Sequence, residues 1–155
     1  MKARAVILIL ALCFVGVALS YAADEAFMGT WKRNEAKSKT RAGSPKNTTV
    51  VYEAAGDSVK VTVDGVDAEG KPTHNEWTGK FDGKDYPVTG DPRSDTRAYK
   101  RVNAHTLALT GKKDGKVTET GRIVVSPDGK SRTVTTHETD SKGHKVSNTA
   151  FYDKQ

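Results

Sequence analysis

The feature of this sequence that most limits its fold is a two-residue alternation of apolar and polar side chains. The alternation is clearest where Val59, Val61 and Val63 are separated by Lys60 and Thr62. This period places the valines on one face of a β-strand and the polar residues on the other. Similar segments recur along the chain, separated by short turn sequences rich in Gly, Asp and Pro, and they predict successive strands joined by tight turns.

The amino-acid composition favours strands over helices. After residue 22 the chain contains two Leu and one Ile but thirteen Val, and Thr is abundant. β-Branched residues pack well on a pleated sheet, whereas helices are usually built from Leu and other unbranched residues. The scarcity of large apolar side chains predicts a thin core, and the modest net charge predicts a folded domain rather than disorder.

The predicted strands follow one another so closely that sequential neighbours must be antiparallel. A long meander leaves two exposed edges unless it closes on itself. We therefore predict an all-β fold, a single antiparallel up-and-down barrel of about 8–10 strands with no substantial helix. A two-sheet sandwich is the alternative. The predicted strands are an opening strand within 27–34, then 48–53, 59–63, 72–81, 85–88, 95–102, 106–110, 117–126, 132–138 and 145–152.

A polar run follows the opening strand and ends in Gly43, Ser44 and Pro45. We predict that residues 35–46 form the first loop, at one mouth of the barrel. Asn34 could cap a single helical turn at its start, since Asn is a favoured residue at that position.

The first 22 residues have the pattern of a secretory signal. Lys2 and Arg4 precede an apolar run over 6–19, and Ser20-Tyr21-Ala22 is a small-x-small cleavage site. We predict that the mature chain begins at Ala23, that 23–155 form one domain, and that the protein is exported to the periplasm or the extracellular space. The apolar run is shorter than the roughly 20 residues of a membrane span, so no stable span is expected after cleavage.

Cysteine usage and charge exclude several function classes. Cys13 is the one cysteine and lies in the predicted signal, so the mature chain is predicted to lack disulfides and thiol chemistry. The net charge is +6 for 25 basic and 19 acidic residues, and removing Lys2 and Arg4 leaves 23 − 19 = +4. Because the charges are mixed and spread along the chain, rather than concentrated on one basic face, nucleic-acid binding is not expected.

The opening strand also contains a sequence motif that bears on the fold. Phe27, Gly29 and Trp31 share one strand face, and Gly29 leaves room there for a neighbour to approach closely. Gly29-Thr30-Trp31, ahead of a run of antiparallel strands, resembles the Gly-x-Trp motif of the lipocalin and fatty-acid-binding (calycin) superfamily, closest to small secreted bacterial lipocalin-like proteins of unassigned role. The resemblance implies that Trp31 closes one end of the barrel beneath a basic residue of the last strand, where this chain has Lys154.

The chain departs from the fatty-acid-binding members of that superfamily at two places. The run 35–46 is too short for their two-helix lid. Near the end, Ala150-Phe151-Tyr152 keeps the Tyr of their Arg-x-Tyr motif but not its Arg.

A barrel of this size can hold a small ligand. We predict that the protein binds an amphipathic or lipophilic molecule in its interior. The alternative is a structural or protein-interaction module with a filled core and no ligand. Arg122 would suit an acidic headgroup through paired N–H donors, although strand alternation places it opposite Ile123, so one of the two must point outward. The predicted ligand-binding residues are Tyr52, Trp77, Tyr99, Leu107, Leu109, Arg122, Ile123 and Tyr152.

The sequence contains no recognisable catalytic, phosphate-binding or metal-binding motif. His and acid residues that could hold a metal lack the close spacing of a ligand set, so we predict no metal, no cofactor and no enzymatic activity. An enzyme using a His and an acid at the barrel mouth is the remaining hypothesis. The residues considered for these roles are His74, Glu76, His105, His137, Glu138 and His144.

Overall fold

The computed structural model describes residues 24–139 and 142–155. The predicted signal, its cleavage site and Ala23 lie outside the described residues. Ten strands make up the fold in the described ranges, as the alternation predicted. They are β1 (Gly29–Lys39), β2 (Lys46–Ala55), β3 (Ser58–Val66), β4 (Pro72–Gly79), β5 (Tyr86–Thr89), β6 (Thr96–Asn103), β7 (Thr106–Lys113), β8 (Lys116–Val125), β9 (Ser131–Thr139) and β10 (Lys145–Lys154).

Each strand pairs antiparallel with its neighbours in sequence, and β1 pairs with β10 to close the barrel. The register places Trp31 of β1 opposite Lys154 of β10 and Val50 of β2. The prediction of an up-and-down barrel is therefore confirmed, and the two-sheet alternative is excluded. Among the residues that the structure describes, no helix is long and apolar enough to cross a membrane.

Strand β1 is longer than the sequence indicated. It continues to Lys39, and the connection to β2 spans only 40–45, so the predicted first loop at 35–46 is corrected. The pairing with β10 shifts between Asn34 and Lys39, which marks a bulge-like irregularity.

Side-chain hydrogen bonds hold this polar segment in the sheet. The Ser38 hydroxyl donates to the Asn34 carbonyl at 2.7 Å and accepts the Phe151 N–H at 2.9 Å. The Asn34 side chain accepts the Lys37 N–H at 3.2 Å, the local bond expected of a cap, but within a distorted strand rather than a helical turn. Polar residues that are typical of a loop thus form part of the barrel wall.

One end of the barrel, which we call the closed end, is plugged by aromatic side chains. The chain crosses this end just before β1, at Phe27, and Trp31 follows within β1; both side chains are 0% exposed. The Trp31 indole N–H donates to the Phe27 carbonyl at 2.8 Å. Trp77 and Tyr99 pack edge to face behind them with ring centroids 4.8 Å apart, so the apolar core extends from this plug toward the middle of the barrel.

Two basic side chains complete the closed end. The Arg132 guanidinium carbon lies 4.8 Å from the Trp31 ring centroid, 5.0 Å from that of Tyr52 and 4.9 Å from that of Tyr152. The Lys154 ammonium lies 5.3 Å from the Trp31 ring. Gly29 has a φ of +99°, and Lys154 Cε lies 3.1 Å from where a Cβ would be, so a glycine is required at this position.

Candidate functional site

The opposite end of the barrel, which we call the polar mouth, carries charged residues on its inner face. A cleft of about 240 Å³ opens there between the β5–β6 loop, the β7–β8 hairpin and the end of β9. We call it the charged cleft. Its lining residues are Pro92, Arg93, Ser94, Lys113, Thr118, Glu119, Glu138 and Thr139.

A β-bulge shapes one wall of the charged cleft. Gly111 pairs with Glu119, but the next residue of β7, Lys112, pairs with Val117, so Thr118 is an extra residue in β8. The Thr118 hydroxyl donates to the Gly111 carbonyl at 3.3 Å and fixes the bulge. In a regular strand, Thr118 and Glu119 would point to opposite faces of the sheet. A bulge changes the direction of side chains, and here both residues border the charged cleft.

Gly111 leaves the floor of the cleft open. A Cβ at this position would lie 2.9 Å from Ser94 Oγ and 3.7 Å from Glu119 Oε2. A side chain here would therefore collide with Ser94 and occupy the space that Ser94 and Glu119 both border.

Asp91 organises the loop that forms the second wall. Its Oδ1 accepts the Arg93 N–H at 3.0 Å, and its carbonyl accepts the Ser94 N–H at 3.4 Å. Its Oδ2 accepts a hydrogen bond from Arg97 Nη2 at 3.0 Å, in an ion pair whose side chains are 3% and 7% exposed. Arg97 Nη1 also donates to Asn75 Oδ1 at 3.2 Å. Because this network ties the loop to β4 and β6, Arg93 and Ser94 are held in fixed positions.

Two carboxylates face each other across the third wall. Glu119 of β8 and Glu138 of β9 are directly opposite in register, a placement at which like charges repel. Arg93 Nη1 donates to Glu138 Oε2 at 3.0 Å. The Glu119 carboxylate accepts no hydrogen bond from another described residue. Burial raises the pKa of Glu119, Arg93 opposes that rise, and Glu138 adds to it.

The remaining side of the polar mouth is covered. The Arg33 side chain is 3% exposed, and its Nη2 donates to Thr40 Oγ1 at 3.3 Å. The Arg41 N–H donates to Asn148 Oδ1 at 3.1 Å, so the 40–45 connection is tied to β10. The charged cleft is therefore on the side of the mouth away from this connection.

The raised pKa of Glu119 gives a testable pH dependence. Above the ordinary value of 4.5 and up to the raised pKa, the folded state binds more protons at Glu119 than the unfolded state does. The contribution of Glu119 to the free energy of unfolding should therefore fall as pH rises through that window. Urea unfolding of the wild type and of Glu119→Gln at several pH values should show the variant gaining relative stability as pH rises. Parallel pH profiles would contradict this placement of Glu119.

Most of the sequence-predicted ligand-binding residues lie in the packed core rather than in the charged cleft. Leu109, which is 8% exposed, is nearest to the cleft, since it precedes Gly111 by two residues on the same strand face. Burial raises the pKa of the Tyr99 hydroxyl far above its usual value. The buried residues of this set, 0–8% exposed, are Tyr52, Trp77, Tyr99, Leu107, Leu109, Ile123 and Tyr152.

Arg122, which was predicted as a ligand-binding residue for an acidic headgroup, does not face the barrel interior. Arg122 is exposed on the outer face of β8, because its neighbour Ile123 is 3% exposed and points into the core. Buried arginine side chains among the described residues include those of Arg33, Arg97 and Arg132, for which no binding role was predicted. Glu119, Gly121 and Ile123 share one face by alternation, and that pattern is the signal that could have identified an inward Glu119.

The His and acid residues considered as metal ligands do not converge. In the described ranges 24–139 and 142–155, no group of three or more His, Cys, Asp or Glu is placed to hold a metal ion. His74 is exposed and pairs with Asp64 at 2.7 Å and Glu76 at 3.6 Å, while His137 bonds the Ser147 hydroxyl at 2.7 Å. Of the residues considered as metal ligands, Glu138 borders the charged cleft.

Comparisons with known proteins identify a shared fold. No family model and no curated protein sequence matches this chain. Among solved structures, EF1p2_mFAP2b bound to DFHBI is 11% identical, with a TM-score of 0.52 over 88% of this chain and 99% of that chain. A de novo designed fluorescence-activating β-barrel is 14% identical, with a TM-score of 0.42 over 86% of this chain and 98% of that chain. At 11% identity the first likeness shows the barrel fold alone.

Proposed function

We propose that this protein is an exported binding protein, not an enzyme, and that it holds a small amphipathic molecule at the polar mouth. The polar group of the ligand occupies the charged cleft, and its apolar part contacts Leu109. The observation that carries this proposal is a cleft of about 240 Å³ at the mouth of a closed barrel, bordered by two polar side chains that make no hydrogen bond within the described residues. Neither the Glu119 carboxylate nor the Ser94 hydroxyl makes a hydrogen bond within the described residues, although Ser94 is 2% exposed.

The amphipathic character follows from the order of side chains along the inner face. The Gly111–Glu119 pair borders the cleft, and the next inward pair, Leu109–Gly121, is apolar. Leu109 Cδ2 lies 3.5 Å from where a Cβ of Gly121 would be, so the leucine side chain packs against the glycine. A purely lipophilic ligand would desolvate the charged rim without replacing its hydrogen bonds, which is costly.

The closed end does not offer a route for a ligand. Phe27 and Trp31 are fully buried there, and Arg132 is 3% exposed beneath them. The polar mouth is therefore the proposed point of access. The barrel of EF1p2_mFAP2b was solved bound to DFHBI, which supports the proposal that a barrel of this shape can take a small molecule.

Export is proposed from the basic start, apolar run and small-x-small site of the first 22 residues. N-terminal sequencing of protein recovered from the host is expected to give Ala23 as the first residue. A chain that retains residue 1 would contradict export by this signal.

A second candidate function is supported by the dense core. Within the described ranges seventeen apolar residues are buried, and aromatic rings contact one another from Phe27 to Tyr99. A barrel filled in this way could act through its outer surface on another protein, with no small ligand. This function predicts no binding of small amphiphiles at the polar mouth.

An NMR titration with octylamine, octanoate and octanol as probes distinguishes the two candidate functions. We expect at least one probe to bind one molecule per barrel and to shift the amide signals of Ser94, Gly111 and Glu119. Replacing Thr118 with Trp should abolish binding. The volume of the cleft is similar to that of one large side chain, so the indole would fill it.

Thr120→Trp is the matched control for this titration. Thr120 lies two residues further along β8 and is exposed, so the same bulk there should leave binding unchanged. If no probe binds, or if Thr118→Trp and Thr120→Trp bind equally well, the proposed site is wrong.

A further inference from the structure

We infer that the charged cleft selects ligands that carry a protonated amine. This inference rests on the proposed small-molecule binding at the polar mouth and names the chemistry of the group that is bound. It starts from the pairing of the charged residues around the cleft.

One acid–base pair borders the charged cleft and a second lies behind its loop wall. Asp91 is paired with the buried Arg97, and Glu138 is paired with Arg93. Lys113 is exposed at the rim, where its ammonium is hydrated. Glu119 is the acid of this cluster whose carboxylate accepts no hydrogen bond from another described residue. The group that Glu119 lacks is therefore a hydrogen-bond donor, and a donor that carries a positive charge suits a carboxylate best.

An ammonium group matches the acceptors that converge on the floor of the cleft. It carries three N–H donors and no acceptor. Glu119 Oε2 and Ser94 Oγ both border the space above Gly111, and Glu138 is directly opposite Glu119 on the neighbouring strand. A positive charge placed there would also relieve the repulsion between the two carboxylates.

An anionic ligand fits the cleft less well. Arg93 is already held by Glu138 at 3.0 Å and by Asp91, whose Oδ1 is 3.6 Å from Arg93 Nε. A carboxylate or phosphate would have to displace Glu138 from Arg93 while lying beside Glu119. A divalent metal is also disfavoured, because Ca²⁺ takes six to eight oxygen ligands and the Arg93 guanidinium is already bonded to a Glu138 oxygen.

The test is isothermal titration calorimetry with octylamine, octanol and octanoate, which share one alkyl chain. An ammonium pairs its charge with the Glu119 carboxylate, and hydrogen bonds to charged groups are stronger than neutral ones, so octylamine should bind the wild type at least about tenfold more tightly than octanol. Octanoate should bind most weakly. Glu119→Gln should weaken octylamine binding about tenfold or more and change octanol binding by less than about threefold, since Gln has the same shape.

Glu53→Gln is the matched control, because it removes the same charge from an exposed position on β2. It should leave octylamine binding unchanged. A second measurement is the number of protons released when octylamine binds. In buffers with different ionisation enthalpies, at pH values above the ordinary Glu pKa of 4.5, octylamine binding should release protons from the wild type, because the cation favours the ionised form of Glu119. Glu119→Gln should release fewer.

The outcomes separate this inference from the proposed function. If octanol or octanoate binds as tightly as octylamine, or if Glu119→Gln leaves octylamine binding unchanged, the preference for an amine is wrong and the binding site stands. If none of the three compounds binds, the proposed function itself falls.

Discussion

Replacing Trp31 with alanine is expected to lower the free energy of unfolding by about 3–5 kcal/mol, the usual range for deleting a buried aromatic side chain. Trp31 is 0% exposed, and its N–H is bonded to the Phe27 carbonyl. Its ring also covers the buried Arg132 guanidinium. The substitution would leave a cavity at the closed end and remove an aromatic neighbour from a buried charge. Guanidinium unfolding followed by circular dichroism measures the effect.

Two further variants test the cause of that loss. Trp31→Phe keeps a ring beside Arg132 but loses the indole N–H, so it should cost clearly less than Trp31→Ala. Val117→Ala changes an apolar side chain that is 57% exposed and should shift the free energy of unfolding by less than about 0.5 kcal/mol. If Trp31→Ala costs no more than Val117→Ala, the closed end does not depend on this residue.

Replacing Arg97 with methionine is expected to cost about 3–5 kcal/mol, because it removes the buried, hydrogen-bonded countercharge of Asp91 and leaves this carboxylate beside the more exposed Arg93, whose Nε is 3.6 Å away. The Asp91 side chain is 3% exposed, and Arg97 Nη2 bonds to it at 3.0 Å. The loss should also loosen the loop that presents Arg93 and Ser94 to the charged cleft. Urea unfolding measures the stability, and the amide signals of Arg93 and Ser94 report the position of the loop.

The compensating change is Asp91→Asn in the Arg97→Met background. Asn removes the buried charge that has lost Arg97 and keeps an oxygen that can accept the Arg93 N–H, a bond of 3.0 Å in the native loop. The double variant should therefore recover most of the lost stability, as expected when both members of a buried ion pair are neutralised. If it is less stable than Arg97→Met, the ion pair is not the reason for the loss.

The barrel could be predicted from the sequence because its determinants are local. Alternation, as at Val59, Val61 and Val63, fixes which face of each strand is buried, and short turns fix the neighbours. A closed meander follows from those two facts. The end of β1 was missed because Ser38 joins the sheet through bonds to Asn34 and Phe151, and the latter is distant in sequence.

The candidate site was predicted poorly because its determinants are not local. The extra residue Thr118 in β8 is visible only once β7 is placed beside it. The selection of Arg122 failed for a related reason. Alternation shows that Arg122 and Ile123 face opposite ways, but the choice between inside and outside depends on the packing of the whole barrel. Arg132 lies against three aromatic rings, and no role was predicted for it because those rings come from three other strands, β1, β2 and β10.

The claim that the polar mouth holds a small amphipathic molecule is tested most directly by native mass spectrometry of protein purified from its own host. We expect a non-covalent adduct of one small molecule per barrel in the wild type and in Thr120→Trp, and its loss in Thr118→Trp. A wild-type protein that carries no adduct, or a Thr118→Trp protein that keeps one, would contradict it.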